Sequence, residues 1–304
     1  MAETKRLTIP AAEEILGEEY KCLDHGFVRL VDYMGGDEAI VQAARVSYGT
    51  GTKKVSHDRG LIRYLMRHWH TTPSEMVELK FHAKMPIFVA RQWIRHRTAN
   101  VNEVSARYSI LDNEFYVPEP EVLGVQSKSN RQGRGEVIGG EEASRILDIL
   151  RTDALRAYED YEYLLNEDSE NPGQPRDPER SMLARELART NLNLSFYTQW
   201  YWKIDMHNLF HFLRLRMDKH AQYEIRVYAD AMADIAKRVA PIEYGAFEDY
   251  RLDAMNLSSL EVDVLRRVLN GEEAEKAAAE IIENKRERDE FFEKLERLRI
   301  NASS

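Results

Sequence analysis

Apolar and polar positions alternate differently in the two halves of the chain. Phe27-Val28-Arg29-Leu30-Val31-Asp32 alternates with period two and predicts a strand, closed by Gly35-Gly36. Val77 to Ala83 alternates likewise and predicts a strand with one buried face. Asp37 is placed to cap a helix running through Val46. Leu61, Ile62, Leu65, Met66 and Trp69 form the apolar stripe of a helix over Asp58 to Trp69. Pro86 suits the first turn of a helix that carries Ile87, Phe88, Val89 and Trp93. A helix over Pro10 to Glu19 is expected in the N-terminal stretch.

From Glu141 onward the period lengthens. Helices are expected over Glu141–Leu165, Glu179–Thr190, Lys203–Asp218 and Ala221–Val239, and the stretch from Leu260 to Ile300 is charged with a helical pattern. Gln126 to Gly140 is polar and glycine-rich and reads as a loop. Asn171 to Pro178 is a break within one domain rather than a boundary. Strands early and helices late predict an α+β fold, a mixed or antiparallel sheet packed with several long helices, followed by a charged helical tail. The expected divisions are an extension over 1–22, a main domain over 23–250 and a tail over 251–304.

Composition narrows the class. The 304 residues are 43% hydrophobic and carry a formal charge of -9, which argues against a general nucleic-acid binder. The single cysteine, Cys22, allows no disulfide framework and suits a reducing compartment. No apolar run reaches the roughly 20 residues needed to cross a bilayer. A cytoplasmic protein with no membrane partner is expected.

The chemistry concentrates between Gln92 and Tyr108. Within Arg91 to Ser109, Arg91, Arg95, Arg97 and Arg107 stand against Glu103 alone, a basic spot on an acidic chain. Guanidinium groups bind phosphate and carboxylate bidentately. Arg95 and Arg97 point to different sides of a regular helix, so they serve two ligands or sit where the helix ends. A solvated basic face is the plain alternative. In an extended segment Glu103, Ser105 and Arg107 would share one side. No Gly-x-Ser-x-Gly elbow surrounds Ser105, so hydrogen bonding suits it better than nucleophilic attack. Thr72 and Glu75 follow His70 in a turn. His207 and His211 stand one helical turn apart but lack the glutamate of a metalloprotease motif, and no metal is expected. Phe210, Phe212, Leu213 and Leu215 read as core.

Arg95-His96-Arg97, seven residues and then Ser105 resembles the signature of flavin-dependent thymidylate synthases. Ala43 to Ser47, His70 to Glu75, Pro86 to Trp93, and Leu215-Arg216 through Glu224-Ile225 resemble further blocks of that family, over about Leu23 to Tyr250. The resemblance implies reductive methylation of dUMP to dTMP. Methylenetetrahydrofolate would donate the carbon and leave as tetrahydrofolate. FAD reduced by NADPH would supply the hydride, and no enzyme nucleophile would be needed.

It also implies roles. Ser47, Thr72, Glu75, Arg95, His96, Arg97 and Glu103 would contact FAD, with His70 near the flavin. Asp205, His207 and His211 stand where many members carry Asn, Arg and Asn against the flavin nucleotide. Gln92, Trp93, Ile94, Arg95, Glu103, Val104, Ser105, Ala106, Arg107 and Arg189 would hold dUMP. Arg216 would favour ionisation of the pyrimidine. A homotetramer with sites shared between subunits is implied as well. The same residues would also serve an NADPH oxidase that forms no thymidylate, or a nucleic-acid-binding oligomer, which the acidic charge opposes.

Overall fold

The computed structural model describes residues 7–46, 55–128, 133–168 and 170–301. In chain order the first part holds α1 (Pro10–Glu13), β1 (Tyr20–Cys22), β2 (Gly26–Met34), α2 (Asp37–Val46), α3 (Val55–Arg67), β3 (Glu78–Pro86), α4 (Ile87–Trp93) and β4 (Asn100–Glu103). Then come β5 (Gly124–Gln126), β6 (Arg134–Val137), α5 (Gly140–Leu165), α6 (Arg185–Ala188), β7 (Tyr197–Asp205), α7 (Met206–Arg216), α8 (Tyr223–Val239) and α9 (Pro241–Phe247). The last stretch holds α10 (Ser259–Leu269), α11 (Ala274–Ile281) and α12 (Lys285–Asn301). The residues form two compact units, 1–247 and 248–304. The fold is α+β, as the patterning predicts.

In the first unit a five-stranded sheet runs in the order β1-β2-β3-β7-β4, with every neighbour antiparallel. Alternation explains its inner face. Leu79, Phe81, Ala83 and Met85 of β3 are all fully buried. Thr198, Trp200, Trp202 and Ile204 of β7 are buried beside them. Helix α4 drives Trp93 into this layer, 5.3 Å between centroids from both Trp200 and Trp202 and 5.2 Å from Phe212 of α7. Such ring pairs add about 0.5–1.5 kcal/mol each beyond area burial. Gly26 is required where α8 crosses β2, because a Cβ there would lie 2.0 Å from the Tyr228 hydroxyl. A second cluster joins Ala154, Tyr158, Tyr161 and Leu165 of α5 to Ala188 and Phe196.

The unit over 248–304 has its own small core of Val264, Ala277, Ala278, Ile282 and Phe291. Its first helix opens on a capping box between Ser258 and Glu261.

Several elements differ from the sequence expectation. The N-terminal helix stops at Glu13, because Gly17 turns the chain at φ 79° and donates to the Leu30 carbonyl at 2.8 Å. Helix α3 ends at Arg67, which leaves Trp69 63% exposed at φ 60° rather than on the apolar stripe. The stretch 179–184 is loop. Asn166, left-handed at the end of α5, draws it in by donating to the carbonyls of Asp177 and Arg180. Residues 197–205 are strand, so the helix begins at Met206 and not at Lys203. Within the stretch expected to be loop, Arg134–Val137 is a strand, β6, paired antiparallel with β5. Asp37 opens α2, but its carboxylate accepts from the backbone of Ile242 and Glu243, each at 2.9 Å. It caps α9, not its own helix.

Candidate active site

Helix α4 ends at Trp93, and the chain leaves it through a turn at Ile94 and Arg95. Arg95, His96 and Arg97 therefore splay from a helix end instead of a regular face. They line a cleft of about 370 Å³ with Thr98, Ile204, Asn208, His211, Leu215 and Arg216. Three arginines, two histidines and no acid line it, a donor set suited to phosphate-bearing ligands. Leu215, expected in the core, is 48% exposed and lines this cleft.

Arg216 closes one wall from the last turn of α7. Its Nε donates to His96 Nε2 at 3.2 Å, and its Nη2 donates to the Gln92 carbonyl at 3.3 Å. Burial, then Arg216 and then His211 push the His96 ring down to about 4. The ring is therefore neutral near pH 7. Since Nε2 accepts, the proton must sit on Nδ1. The ring packs edge-on against Phe212 at 4.9 Å and lies 5.7 Å from His211. Burial lowers Arg216 from its ordinary value, and among the described residues no acid offsets its charge.

The other expected residues group separately. Glu103 ends β4 and accepts from Thr198 Oγ1 at 2.6 Å. Val104 donates its N–H to the Gln199 carbonyl at 2.9 Å. Past the strand the chain turns, so Ser105 and Arg107 do not continue an extended face, and Ser105 Oγ accepts from the Arg107 N–H at 3.3 Å. Arg107 pairs with Glu186 at 3.1 Å, while Arg185 donates to the Tyr108 carbonyl at 2.6 Å. These two bonds clamp α6 to the 105–108 turn. Arg189 is exposed in the turn that follows α6. Ala106 is 8% exposed and Trp93 is wholly buried, so Trp93 offers a ligand no ring face. Ile94 is exposed, with its N–H already bound to the Ala90 carbonyl.

His70 is exposed beyond α3, its ring 5.9 Å from that of Tyr64. Thr72 is exposed, and Glu75 accepts from Thr71 Oγ1 at 3.3 Å. Asp205 caps α7: one carboxylate oxygen accepts from the Asn208 N–H at 2.9 Å, the other from its side-chain amide at 2.8 Å. His207 is half-buried in the first turn and His211 is exposed one turn on. Ser47 lies outside the described residues. Among the described residues no group of three His, Cys, Asp or Glu is arranged to hold a metal.

Sequence reasoning assigned no role to Gln222. Its Oε1 accepts from Gln92 Nε2, which ties the start of α8 to the end of α4. The joint membership of both glutamines in motif blocks was the only available signal.

A family model described as thymidylate synthase complementing protein matches residues 29–242. The chain is 61% identical over 271 residues to a flavin-dependent thymidylate synthase of Ruegeria pomeroyi, covering 89% of this chain and 86% of that protein. It is 57% identical over 290 residues to a flavin-dependent thymidylate synthase of Rickettsia conorii, covering 95% of this chain and 97% of that one. A crystal structure of the UMP/dUMP methylase PolB from Streptomyces cacaoi with 5-Br dUMP superposes with a TM-score of 0.64. It is 32% identical and covers 76% of this chain and 98% of its own. By these matches across most of its length, the chain belongs to the flavin-dependent thymidylate synthase family.

Proposed function

We propose that the cleft between Arg95 and Arg216 is where this flavin-dependent thymidylate synthase methylates dUMP, and that Arg216 drives the step. The observation that carries this is the Arg216–His96 pair. His96 is neutral and spends its lone pair on Arg216, so it steers the guanidinium without cancelling its charge. A fixed, half-buried cation beside the pyrimidine stabilises negative charge as it develops on the ring. The ring carbon becomes nucleophilic enough to take the one-carbon unit of methylenetetrahydrofolate with no enzyme nucleophile. Cys22, buried with its thiol pushed up to about 12, suits no such role.

FAD is the cofactor, and the acid-free lining of the cleft fits its diphosphate. When bound it would supply the hydride, drawn from NADPH. Arg95, His96, Arg97 and His211 are the cleft residues we assign to it, with Glu103, His70, Thr72, Glu75 and His207 beside them. Asp205 contributes by ordering α7, since both of its oxygens are engaged in the cap. Gln92, Ser105, Arg107 and Arg189 would hold dUMP, with Arg107 and Arg189 as phosphate donors. The backbone at Ile94, Val104 and Ala106 would shape the same site. The Arg95 cleft and the Arg107–Arg189 group share no hydrogen bond or ion pair among the described residues. A homotetramer whose sites draw on more than one subunit belongs to the same reading, as the family resemblance implies. In this reading 23–250 is the catalytic domain, with 1–22 and 251–304 flanking it.

Arg216→Ala tests the assignment. Thymidylate formation should fall at least about a hundredfold, as for loss of a group that stabilises transition-state charge, while bound FAD stays at the wild-type level. Wild-type turnover in this variant removes Arg216 from the role.

A further inference from the structure

The 105–108 turn is held by an ion pair whose acid is buried. Glu167, just past the end of α5, is 8% exposed. Arg185, the first residue of α6, donates to its carboxylate through Nε at 3.0 Å and through Nη2 at 2.5 and 2.7 Å. The Gly173 N–H adds a bond to the same carboxylate at 2.9 Å. Gly173 stands at φ 87°, a left-handed turn that suits glycine. The Arg185 guanidinium holds the Glu167 carboxyl below the usual range, so the pair is charged near pH 7. One edge of the guanidinium remains, and its Nη1 donates to the Tyr108 carbonyl at 2.6 Å.

Three engaged nitrogens fix the plane of the Arg185 guanidinium. The turn it touches is closed by its own bonds, since the N–H groups of Tyr108 and Ser109 donate to the Ser105 carbonyl at 2.9 and 3.1 Å. Farther along, the Tyr158 hydroxyl of α5 donates to the Leu111 carbonyl at 2.9 Å. On α6 the next residue, Glu186, pairs with Arg107 at 3.1 Å, and Arg189 follows in the turn beyond. Arg107 and Arg189 lie far apart in sequence, and α6 sets the space between them. The Arg107–Glu186 pair is half exposed on both sides, so it contributes little alone. The anchor is the pair at Glu167.

We infer that Arg185 and Glu167 are positioning residues for nucleotide binding: they lock α6 to the 105–108 turn and so set Arg107 and Arg189 at the spacing that grips the nucleotide's phosphate. The inference rests on the proposal that Arg107 and Arg189 hold dUMP. It gives a part to the stretch after α5, which the sequence presents only as a break. It also explains why a charged pair is kept there although burying the carboxylate costs desolvation. Only a guanidinium offers two nitrogens to a carboxylate and a third to a carbonyl.

The test uses FAD-loaded enzyme carrying Arg185→Lys. An ammonium keeps the charge beside Glu167 but lacks the fork that also reaches Tyr108. Losing that charge-assisted bond should raise KM for dUMP about tenfold. The maximal rate, FAD content and Tm should stay near wild-type values. In an Arg107→Ala background the same change should raise KM no further, because it acts through Arg107. Glu167→Gln keeps an acceptor without the charge; it should raise KM in the same direction, and it decides if the lysine variant does not fold. An unchanged KM overturns the inference. So does a loss of rate, FAD and Tm in step, or a full-sized effect in the Arg107→Ala background, since each marks a merely structural role. A wild-type enzyme that makes no thymidylate, or an Arg107→Ala variant with wild-type KM, overturns instead the assignment proposed above, and the inference falls with it.

Discussion

At the scale of single residues, the site depends on which groups hold protons. In the unfolded chain His96 takes a proton near its ordinary value of 6.5, but in the fold it resists down to about 4. Between those values the unfolded state binds the extra proton, so this residue's contribution to stability is complete above about 6.5 and is lost as pH falls toward 4. Urea midpoints at pH 4.5 and 7 should therefore differ less in His96→Asn than in wild type. An equal difference would mean that His96 is not buried against Arg216. The residue scale was also the best read from sequence. Arg95, His96, Arg97 and Arg216 stand in recognisable blocks, whereas His211 stands where many members of the family carry Asn, so the first four were the legible part of the cleft. Their protonation was not, because Arg216 lies far along the chain from His96 and only the fold makes them neighbours. Trp93 shows the opposite limit: it sits inside the motif, yet its ring serves the core.

Among the secondary-structure elements, α7 matters most, since it carries His211 and Arg216. Its start depends on Asp205 as cap, and beneath that junction Glu243 of α9 is buried. Burial first, then the carboxylates of Asp37 and Asp205, push Glu243 up to about 8, against a lowering by the Ser74 hydroxyl. Here the sign is opposite to that of His96. From about 4.5 to 8 the folded state holds the extra proton, so this stability is complete below that window and is lost as pH rises through it. Glu243→Gln, neutral at every pH, should gain in thermal midpoint over wild type at pH 8.5 relative to pH 6. A constant difference would contradict the buried-acid account. Sequence gave no warning of this junction. Asp37 looks locally like a cap for α2, and only the packing of α9 redirects it. Strand β7 was missed for a related reason. Its outward position Tyr201 is as apolar in appearance as the inward Trp200 and Trp202, so the period-two signal fades. By contrast β3 alternates strongly, and its buried face was legible.

At the scale of the whole molecule, an acidic chain keeps a cationic cleft, so the field at the site opposes the net charge of -9. Tyr108, Leu187 and Leu194 are 76%, 54% and 61% exposed, and the first two belong to segments clamped by Arg107 and Arg185. Apolar groups so exposed suit the subunit contact proposed above. Light scattering should give about four times the 35.4 kDa chain mass, and a concentration-independent monomer with full activity would contradict shared sites. Among the described residues no helix is long and apolar enough to cross a membrane. The tail was expected to be helical, and the structure adds that it has a core of its own around Phe291.

The central claim is that Arg216, steered by a neutral His96, activates dUMP at this cleft. The most direct measurement is tritium release from 5-tritiated dUMP with NADPH and methylenetetrahydrofolate, comparing wild type with Arg216→Ala at equal FAD occupancy. The account predicts release matched to dTMP in the wild type and its near-complete loss in the variant. Equal release by both proteins, or a wild type that takes up no FAD and releases none, would contradict it.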